Sequence, residues 1–388
     1  MFSSRFHWDF RPNRLTELLA SKRREGADIL DLTESNPTRA GFSYPPEIQR
    51  AFDDPRLLEY EPAPAGSGAA REAVAAYYAG RGQRVDAARI LLTASTSEAY
   101  AYLFKLLTNP GDQVLVPRPS YPLFEFLADM ESIAVRQYPL VYHGAWAIDL
   151  DALGGAITER TRAIVLVNPN NPTGSFVKLG ELAVLVRLAR QRGIALISDE
   201  VFSDYGLRPD VNRVATLAGV SGCLAFSLSG LSKIAGLPQM KLGWMAVSGP
   251  DELRKEALEK LEWIADTYLS VGTPAQCAAG RLLAVGESVQ RQIRERCAGN
   301  LALAREAVDG SAATVLDVEG GWNVTLEVPR IRSEEEWTLG LLDEDNVLVQ
   351  PGFFYDFESE AYLVVSLLTR PEVFREGLAR VLARVEGS

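Results

Sequence analysis

The chain has 388 residues, of which 47% are hydrophobic and 23% charged, and its formal net charge is −11. These are the values of a globular protein with room for two domains, and the acidic balance argues against nucleic acid or anionic membranes as partners. Three widely spaced cysteines predict reduced thiols, and two histidines cannot build a histidine-based metal site. Because no apolar stretch has membrane-spanning length and the first residues lack a signal-like apolar core, we expect a cytoplasmic protein.

The chain begins with an arm predicted to be irregular over residues 1–45 and to lie on other structure. From residue 46 to residue 275, helical patterns alternate with short apolar runs. This alternation predicts an α/β fold, with a mostly parallel sheet sandwiched by helices. The predicted strands are Ile90–Thr93, Gln113–Val116, Ala163–Val167, Ile194–Ser198, Cys223–Phe226 and Trp244–Val247.

The pattern changes after two long predicted helices, Pro250–Tyr268 and Pro274–Val308. Shorter strands and helices then interleave, which is typical of a smaller α+β domain. We therefore predict an arm that forms part of the small domain (1–45), a large domain (46–275) and a C-terminal small domain (276–388). The strands and helices predicted there are Thr314–Val318, Asn323–Val328, Glu334–Leu342, Val347–Gln350, Tyr362–Leu367 and Glu372–Val385.

Lys233 is the first residue whose position indicates chemistry. It lies in a turn rich in serine and glycine, between the predicted buried strands Cys223–Phe226 and Trp244–Val247. An amine near low-dielectric walls loses its proton more readily and becomes a nucleophile that can form a Schiff base. The plain alternative is a lysine in a surface loop, with its ammonium group in water.

Two further polar turns follow predicted strands upstream. Asn171 belongs to an Asn-Pro-Thr-Gly turn after Ala163–Val167, and Asp199 follows Ile194–Ser198. Open α/β sheets bind ligands at the carboxyl ends of their strands, so both turns are candidates for a ligand site. The structural alternatives are an asparagine that shapes a turn and an acidic pair, Asp199-Glu200, at the start of a helix.

Asn-Pro-Thr-Gly, Ser-Asp-Glu and Ser-Lys, in this order and each at a strand end, resemble the class I/II aminotransferases. These enzymes use pyridoxal 5′-phosphate (PLP) and have the type I fold of PLP enzymes. The resemblance runs from about Leu30 to the C-terminus, and Ser229–Trp244 looks most like the alanine-aminotransferase branch. It implies a homodimer that acts on an amino acid and a 2-oxo acid.

The resemblance also implies roles for individual residues. Lys233 would form the Schiff base and act as general base, and Asp199 would pair with the pyridinium nitrogen and keep the ring an electron sink. Asn171 would donate to the phenolate oxygen of the cofactor and to a substrate carboxylate. The cofactor-binding residues implied in this way are Tyr60, Ser95, Thr96, Ser97, Tyr121, Asn171, Asp199, Ser229, Lys233 and Lys241.

Several of these residues would surround the phosphate and the ring of the cofactor. Ser95–Ser97 precede and open a predicted helix, where backbone N–H groups attract anions, and Ser229 and Lys241 would complete the phosphate site. Tyr121 would stack on the pyridine ring, and Tyr60 would reach across a dimer interface to the neighbour's phosphate. The alternatives are an ordinary helix cap and a core aromatic residue.

Three positions near the predicted cofactor site depart from the family pattern. Ser95 stands where glycine is usual, which affects the tightness of the turn. Lys241 stands where arginine is usual and offers a point charge without a bidentate fork. Phe202 replaces the tyrosine of Asp-Glu-x-Tyr, so a donor to the phenolate oxygen is missing, and we expect the pKa of the Schiff base to rise.

Val364 is the departure with the largest consequence. It stands where the family has the arginine that binds the substrate α-carboxylate, and an unpaired charge in a partly dry site is costly. Either another basic group binds the carboxylate, with Arg39 as the candidate and Arg118 as a weaker one, or the substrate has no α-carboxylate. The prediction is a PLP-dependent aminotransferase. The alternatives are a PLP lyase, decarboxylase or amine-handling enzyme, or a non-catalytic regulator of the same fold.

Overall fold

Short apolar runs form the strands of this α/β protein, of which a computed structural model describes residues 2–387. Several of these strands are buried along their whole length, as expected for apolar runs without polar alternation. The strands are β1 (Leu30–Asp31), β2 (Ile90–Thr93), β3 (Gln113–Arg118), β4 (Ala134–Tyr142), β5 (Trp146–Ile148), β6 (Thr161–Val167), β7 (Ala195–Asp199), β8 (Ala225–Gly230), β9 (Gly243–Ser248), β10 (Thr314–Val315), β11 (Asn323–Glu327), β12 (Val347–Leu348), β13 (Gln350–Pro351) and β14 (Tyr362–Ser366).

The central sheet has eight strands in the order β2-β9-β8-β7-β6-β3-β4-β5. Neighbouring strands from β8 to β4 are parallel, whereas β9 is antiparallel to β8 and β2, and β5 is antiparallel to β4. The mostly parallel sheet predicted from the sequence is therefore confirmed. The prediction lacks β4 and β5, because much of β4 alternates exposed with partly buried residues instead of forming a continuous apolar run.

Helices cover both faces of this sheet. Alternate residues of β9 enter different hydrophobic clusters: Trp244 packs with residues of α3 and α10, and Met245 packs with residues of α4 and α9. The helices are α1 (Arg14–Arg24), α2 (Glu47–Arg50), α3 (Gly68–Ala79), α4 (Thr96–Leu107), α5 (Phe124–Met130), α6 (Leu150–Ala156), α7 (Leu179–Arg192), α8 (Leu231–Ile234), α9 (Asp251–Tyr268), α10 (Thr273–Ala307), α11 (Glu334–Asp343) and α12 (Pro371–Glu386).

A second sheet of four antiparallel strands, in the order β10-β11-β14-β13, follows α10 in the chain. The short strand β1 pairs in parallel with β12, next to this sheet, so the N-terminal arm is bound to the C-terminal part of the chain. The domain boundaries near residues 45 and 275 stay a prediction. The second of them falls within the first turn of α10, which contacts both α3 and α12.

The N-terminal arm is not irregular throughout, and in this respect the sequence prediction is wrong. It contains α1, which Asn13 caps by accepting a hydrogen bond from Thr16 N at 2.8 Å. Three basic residues in the last turn of α1 stabilise the helix through a favourable interaction with its dipole. Arg14 forms an ion pair with Glu335 of α11 at 3.0 Å.

None of the helices within residues 2–387 combines the length and the apolar composition that crossing a membrane requires.

Candidate active site

A cavity of about 500 Å³ lies where the carboxyl ends of β6, β7 and β8 approach the four-stranded sheet. Strand ends at this edge of an open α/β sheet are the usual place for a ligand. The cavity brings together eight of the residues predicted for the site. They are Ser95, Thr96, Ser97, Tyr121, Asn171, Asp199, Lys233 and Lys241.

Lys233 is positioned by a turn that is fixed to the neighbouring backbone. Gly230, the last residue of β8, allows the turn, because a Cβ there would lie only 2.9 Å from the carbonyl oxygen of Leu242. The N–H of Leu231 donates to that same carbonyl at 2.9 Å, and Tyr205 Oη donates to the carbonyl oxygen of Lys233 at 2.5 Å. The turn that carries Lys233 is therefore held at two points, Leu231 and Lys233.

The amine of Lys233 lies among aromatic rings. Its Nζ is 5.2 Å from the centre of the Trp322 ring and 5.7 Å from that of Phe202. Burial lowers the pKa of Lys233, and the nearby negative charge of Asp199 opposes this shift. A lowered pKa increases the fraction of neutral amine, which is the nucleophilic form.

Asp199 ends β7 and lines the cavity, where the surrounding protein removes most of its water. Its Oδ1 accepts a hydrogen bond from Val201 N at 3.2 Å, and its Oδ2 accepts one from Tyr100 Oη at 3.4 Å. Desolvation raises the pKa of Asp199 to about 6, and the two hydrogen bonds and the charge of Lys233 limit the rise. A carboxylate in this state binds a cation or a protonated nitrogen readily, since an opposite charge restores its ionised form.

Asn171 is the asparagine of its turn that is available to a ligand. Asn168 donates to the carbonyl of Val214 and accepts from Val177 N, and Asn170 donates to the carbonyl of Pro119. These two amides hold the turn together. Asn171 lines the cavity and accepts at Oδ1 from Asn323 Nδ2 at 2.7 Å, a bond that leaves its own Nδ2 to donate.

The start of α4 forms the anion-binding end of the cavity. Ser95 caps the helix, since its Oγ accepts from Glu98 N at 3.2 Å, and Thr96 and Ser97 follow it in the cavity wall. Lys241 lines the same cavity in left-handed backbone with φ 49°. Free backbone N–H groups at a helix start, two hydroxyls and an ammonium group suit a phosphate. Together with a buried amine and a carboxylate, this donor set fits PLP.

Ser229 does not line this cavity, so its predicted contact with the phosphate stays a prediction that its position does not support. Side chains two residues apart on a strand share a face, and Ser227 Oγ of β8 donates to Glu200 Oε1 at 3.0 Å. Ser229 accordingly lines a separate cavity that contains Glu200, whose pKa burial raises to about 7. The residues of this turn that do line the main cavity are Gly230 and Ser232.

Tyr60 and the two candidate arginines also lie outside the main cavity. Tyr60 is 77% exposed, so a contact with a cofactor requires a second copy of the chain. Arg39 is an exposed residue of a turn, and Arg118 is engaged with Glu358. The prediction that Arg39 reaches the substrate is therefore not supported by its position.

The structure adds residues that sequence reasoning missed. Tyr100 lies one helical turn after Thr96, a spacing from which its approach to the ligand site could have been inferred. Trp322, Asn323 and Gln350 come from the C-terminal part of the chain and carry no motif. Their place in the wall follows from the pairing of the four-stranded sheet, which the sequence does not display.

Comparison with known proteins gives consistent matches. Residues 27–380 match the family model described as aminotransferase class I and II. Glutamate-pyruvate aminotransferase AlaA of Escherichia coli is 33% identical over 278 residues, which are 69% of this chain and 67% of that protein. Alanine aminotransferase of Mycobacterium tuberculosis is 31% identical over 269 residues, which are 69% of this chain and 62% of that protein.

Solved structures extend the likeness to the whole chain. An aminotransferase from Escherichia coli superimposes with a TM-score of 0.87 at 26% identity, covering 100% of this chain and 98% of that one. Alanine aminotransferase from Pyrococcus furiosus gives a TM-score of 0.89 over 100% of both chains, and its 21% identity supports the fold alone. Fold and sequence family therefore agree over nearly the full length.

Proposed function

Because the chain belongs to the class I and II aminotransferase family, we propose that it transfers an amino group between a small amino acid, such as alanine, and a 2-oxo acid. Transamination with PLP is the activity of this family. The relatives named glutamate-pyruvate aminotransferase and alanine aminotransferase support alanine, with pyruvate as its 2-oxo acid, on one side of the transfer. The observation that carries the proposal is the single cavity that unites Lys233, Asp199 and the start of α4.

Each part of the cofactor has a partner in this cavity. Thr96, Ser97 and Lys241 would hold the phosphate, and Asp199 would hold the ring nitrogen. Asn171 would donate to the phenolate oxygen. PLP, when bound, supplies an electron sink that stabilises negative charge on the α-carbon of the substrate.

Lys233 has two tasks in this proposal. Its amine holds the cofactor between turnovers, and it then accepts the proton that leaves the substrate α-carbon. A low pKa serves the first task, because only the neutral amine is a nucleophile. The fixed turn serves the second, because proton transfer needs Nζ within hydrogen-bond reach of the reacting carbon.

Asp199 stays in place through the reaction as a positioned charge. Val201 N and Tyr100 Oη orient its carboxylate toward the cavity, so it need not reorganise when a cation arrives. Tyr121, which is 49% exposed at the cavity wall, is free to lie against a ring. Phe202 provides apolar contact without a hydroxyl, so fewer donors face the phenolate oxygen than in the usual family pattern.

A cytoplasmic homodimer with shared active sites belongs to the same proposal. The 77% exposure of Tyr60 supports it, because this residue, which binds phosphate in the family, lies outside the main cavity of its own chain. Isologous two-fold dimers are also the commonest oligomers. Sedimentation should give a dimer at micromolar concentration, and an active monomer would contradict this part.

The function is tested by following the spectrum of the bound cofactor. Alanine should convert it from the aldehyde to the amine form, and pyruvate should convert it back. Borohydride reduction should fix the cofactor to the peptide that contains Lys233. The exposed Lys255 offers a matched control: Lys255→Ala should leave labelling unchanged, and Lys233→Ala should abolish it. A reduced adduct on another lysine, or loss of the amino acid carboxylate as CO2, would overturn the proposal.

A further inference from the structure

We propose that the substrate-facing wall of this site is uncharged, so that amino donors with an amide or a hydroxyl in place of the α-carboxylate are accepted about as well as the amino acids. The head group of the donor would be bound by side-chain amides of the four-stranded sheet and its neighbours. This inference deepens the proposed function and depends on it.

The wall has no arginine at the place where the sheet faces the substrate. Val364 of β14 is fully buried and pairs with Thr325 of β11 on one side and Gln350 of β13 on the other. Directly paired residues project from the same face of an antiparallel sheet, and Gln350 lines the cavity. Val364 therefore lies on the same side of the sheet as Gln350, between two neutral residues and behind the cavity wall.

Among residues 2–387 of one chain, no further basic side chain lines the cavity in place of the arginine. Within residues 2–387, the basic residues that line the cavity are Lys233 and Lys241. Both have tasks toward the cofactor, one at its aldehyde carbon and the other at its phosphate. A carboxylate at the small-sheet side of the cavity would thus have only neutral partners on its own chain.

Hydrogen-bond donors do face the cavity from this side. Tyr355 Oη donates to Gln350 Oε1, and Asn323 Nδ2 donates to Asn171 Oδ1 at 2.7 Å. In both contacts the amide oxygen is engaged, which leaves Gln350 Nε2 and Asn171 Nδ2 to donate to a ligand. In the part of the chain that the structure describes, the buried indole N–H of Trp322 in the cavity wall also lacks a partner.

Neutral donors discriminate weakly between head groups. A cation stabilises a carboxylate far more than an amide, because the ion pair compensates for the water that the charge loses. Amide N–H groups bind the oxygen of a carboxylate, an amide or a hydroxyl with similar geometry, and only the carboxylate brings a large desolvation cost. For the amino acid, the hydrogen bonds to the amide groups are offset by the desolvation cost of its carboxylate. Its kcat/KM should therefore exceed that of the amide or the alcohol only slightly.

The test compares L-alanine, L-alaninamide and L-alaninol with the holoenzyme. We expect the rates at which they convert the cofactor to its amine form to give kcat/KM values within about tenfold of one another. A preference for alanine of more than about 100-fold would overturn the inference and leave the proposed aminotransferase function intact. If none of the three reacts, the proposed substrate is wrong, and the binding measurement described next decides the inference.

A binding measurement decides the inference even without turnover. Propionate and propionamide cannot react, and calorimetry on the holoenzyme should give dissociation constants within about tenfold of each other. If propionate binds more than about 100-fold more tightly than propionamide, a cation must face the substrate, and the inference is wrong.

Two variants separate recognition from a merely structural role. Asn323→Asp places a negative charge in the wall, so kcat/KM for alanine should fall by more than about 30-fold and that for alaninamide by less than about threefold. Asn212→Asp, an exposed position away from the cavity, is the matched control and should change neither. Val364→Arg should raise the preference for alanine over alaninamide at least about tenfold. Equal losses for both substrates in Asn323→Asp would refute recognition by this wall.

Discussion

Replacing Asp199 by asparagine should stabilise the cofactor-free protein while it impairs binding of the cofactor. Desolvation raises the pKa of this carboxyl from 3.8 to about 6. Because the folded-state pKa is raised, the folded protein holds a proton that the unfolded chain releases between these two values. The stability contributed by this group is therefore present at low pH and is lost as the pH rises through 6.

The size of the effect follows from the shift. About two pKa units correspond to about 3 kcal/mol of unfolding free energy. The wild type has lost about half of this stability at pH 5 and all of it near pH 8. Asparagine has nearly the same shape and no charge to desolvate. Asp199→Asn should thus exceed the wild type by up to about 3 kcal/mol at pH 8 and by about 1.5 kcal/mol at pH 5.

Urea unfolding of both proteins without cofactor, followed by circular dichroism at pH 5 and pH 8, measures this difference. Glu200 titrates in both proteins and largely cancels. Asp266→Asn, on an exposed position of α9, is the control and should shift stability by no more than a few tenths of a kcal/mol at either pH. With PLP added the order of stability should reverse, because a ligand that binds more tightly stabilises the folded state more, by RT ln(1 + [L]/Kd). A variant that is less stable at pH 8 without cofactor would refute the assignment of a desolvated carboxylate.

Three further substitutions test other parts of the site. Phe202→Tyr should lower the pH at which the bound cofactor changes its visible absorption, because a hydroxyl would stabilise the phenolate anion; an unchanged titration would mean that another group already donates. Arg39→Ala should keep kcat/KM for alanine within about twofold of the wild type, and a loss above tenfold would place the arm over the substrate after all. Tyr60→Phe should weaken PLP binding, and mixing it with Lys233→Ala chains should restore about a quarter of the wild-type activity if sites are shared; no recovery would argue against sharing.

The cofactor half of the site could be predicted from the sequence because short segments determine it. Asp199 ends a buried strand, Lys233 and Asn171 follow one by three and four residues, and parallel strands bring such positions to one edge. The position of Ser229 outside the main cavity has an equally local reason. A shift of one residue along β8 moves a side chain to the opposite face, and the prediction placed the end of this strand too early.

The substrate half could not be predicted in the same way. Gln350, Val364 and Asn323 become neighbours only through the register of β11, β14 and β13, and nothing near them in the sequence records that pairing. The absence of the usual arginine was visible as Val364, but its consequence depended on whether another cation reaches the cavity. That question is decided by long-range packing, which leaves Arg39 and Arg118 outside.

The two halves also differ in what holds them. The cofactor half is fixed by backbone: the turn of Lys233 by Leu242 and Tyr205, and the anion end by the start of α4. The substrate half is a set of side chains on a sheet face, where a substitution such as Asn323→Asp changes the chemistry without moving the backbone. A fold built in this way can keep its transamination chemistry while its choice of amino donor changes, because the proton transfer at Lys233 does not depend on the charge of the wall. We therefore expect the substrate class of this enzyme to be set by the residues around Val364 rather than by the motifs that place it in its family.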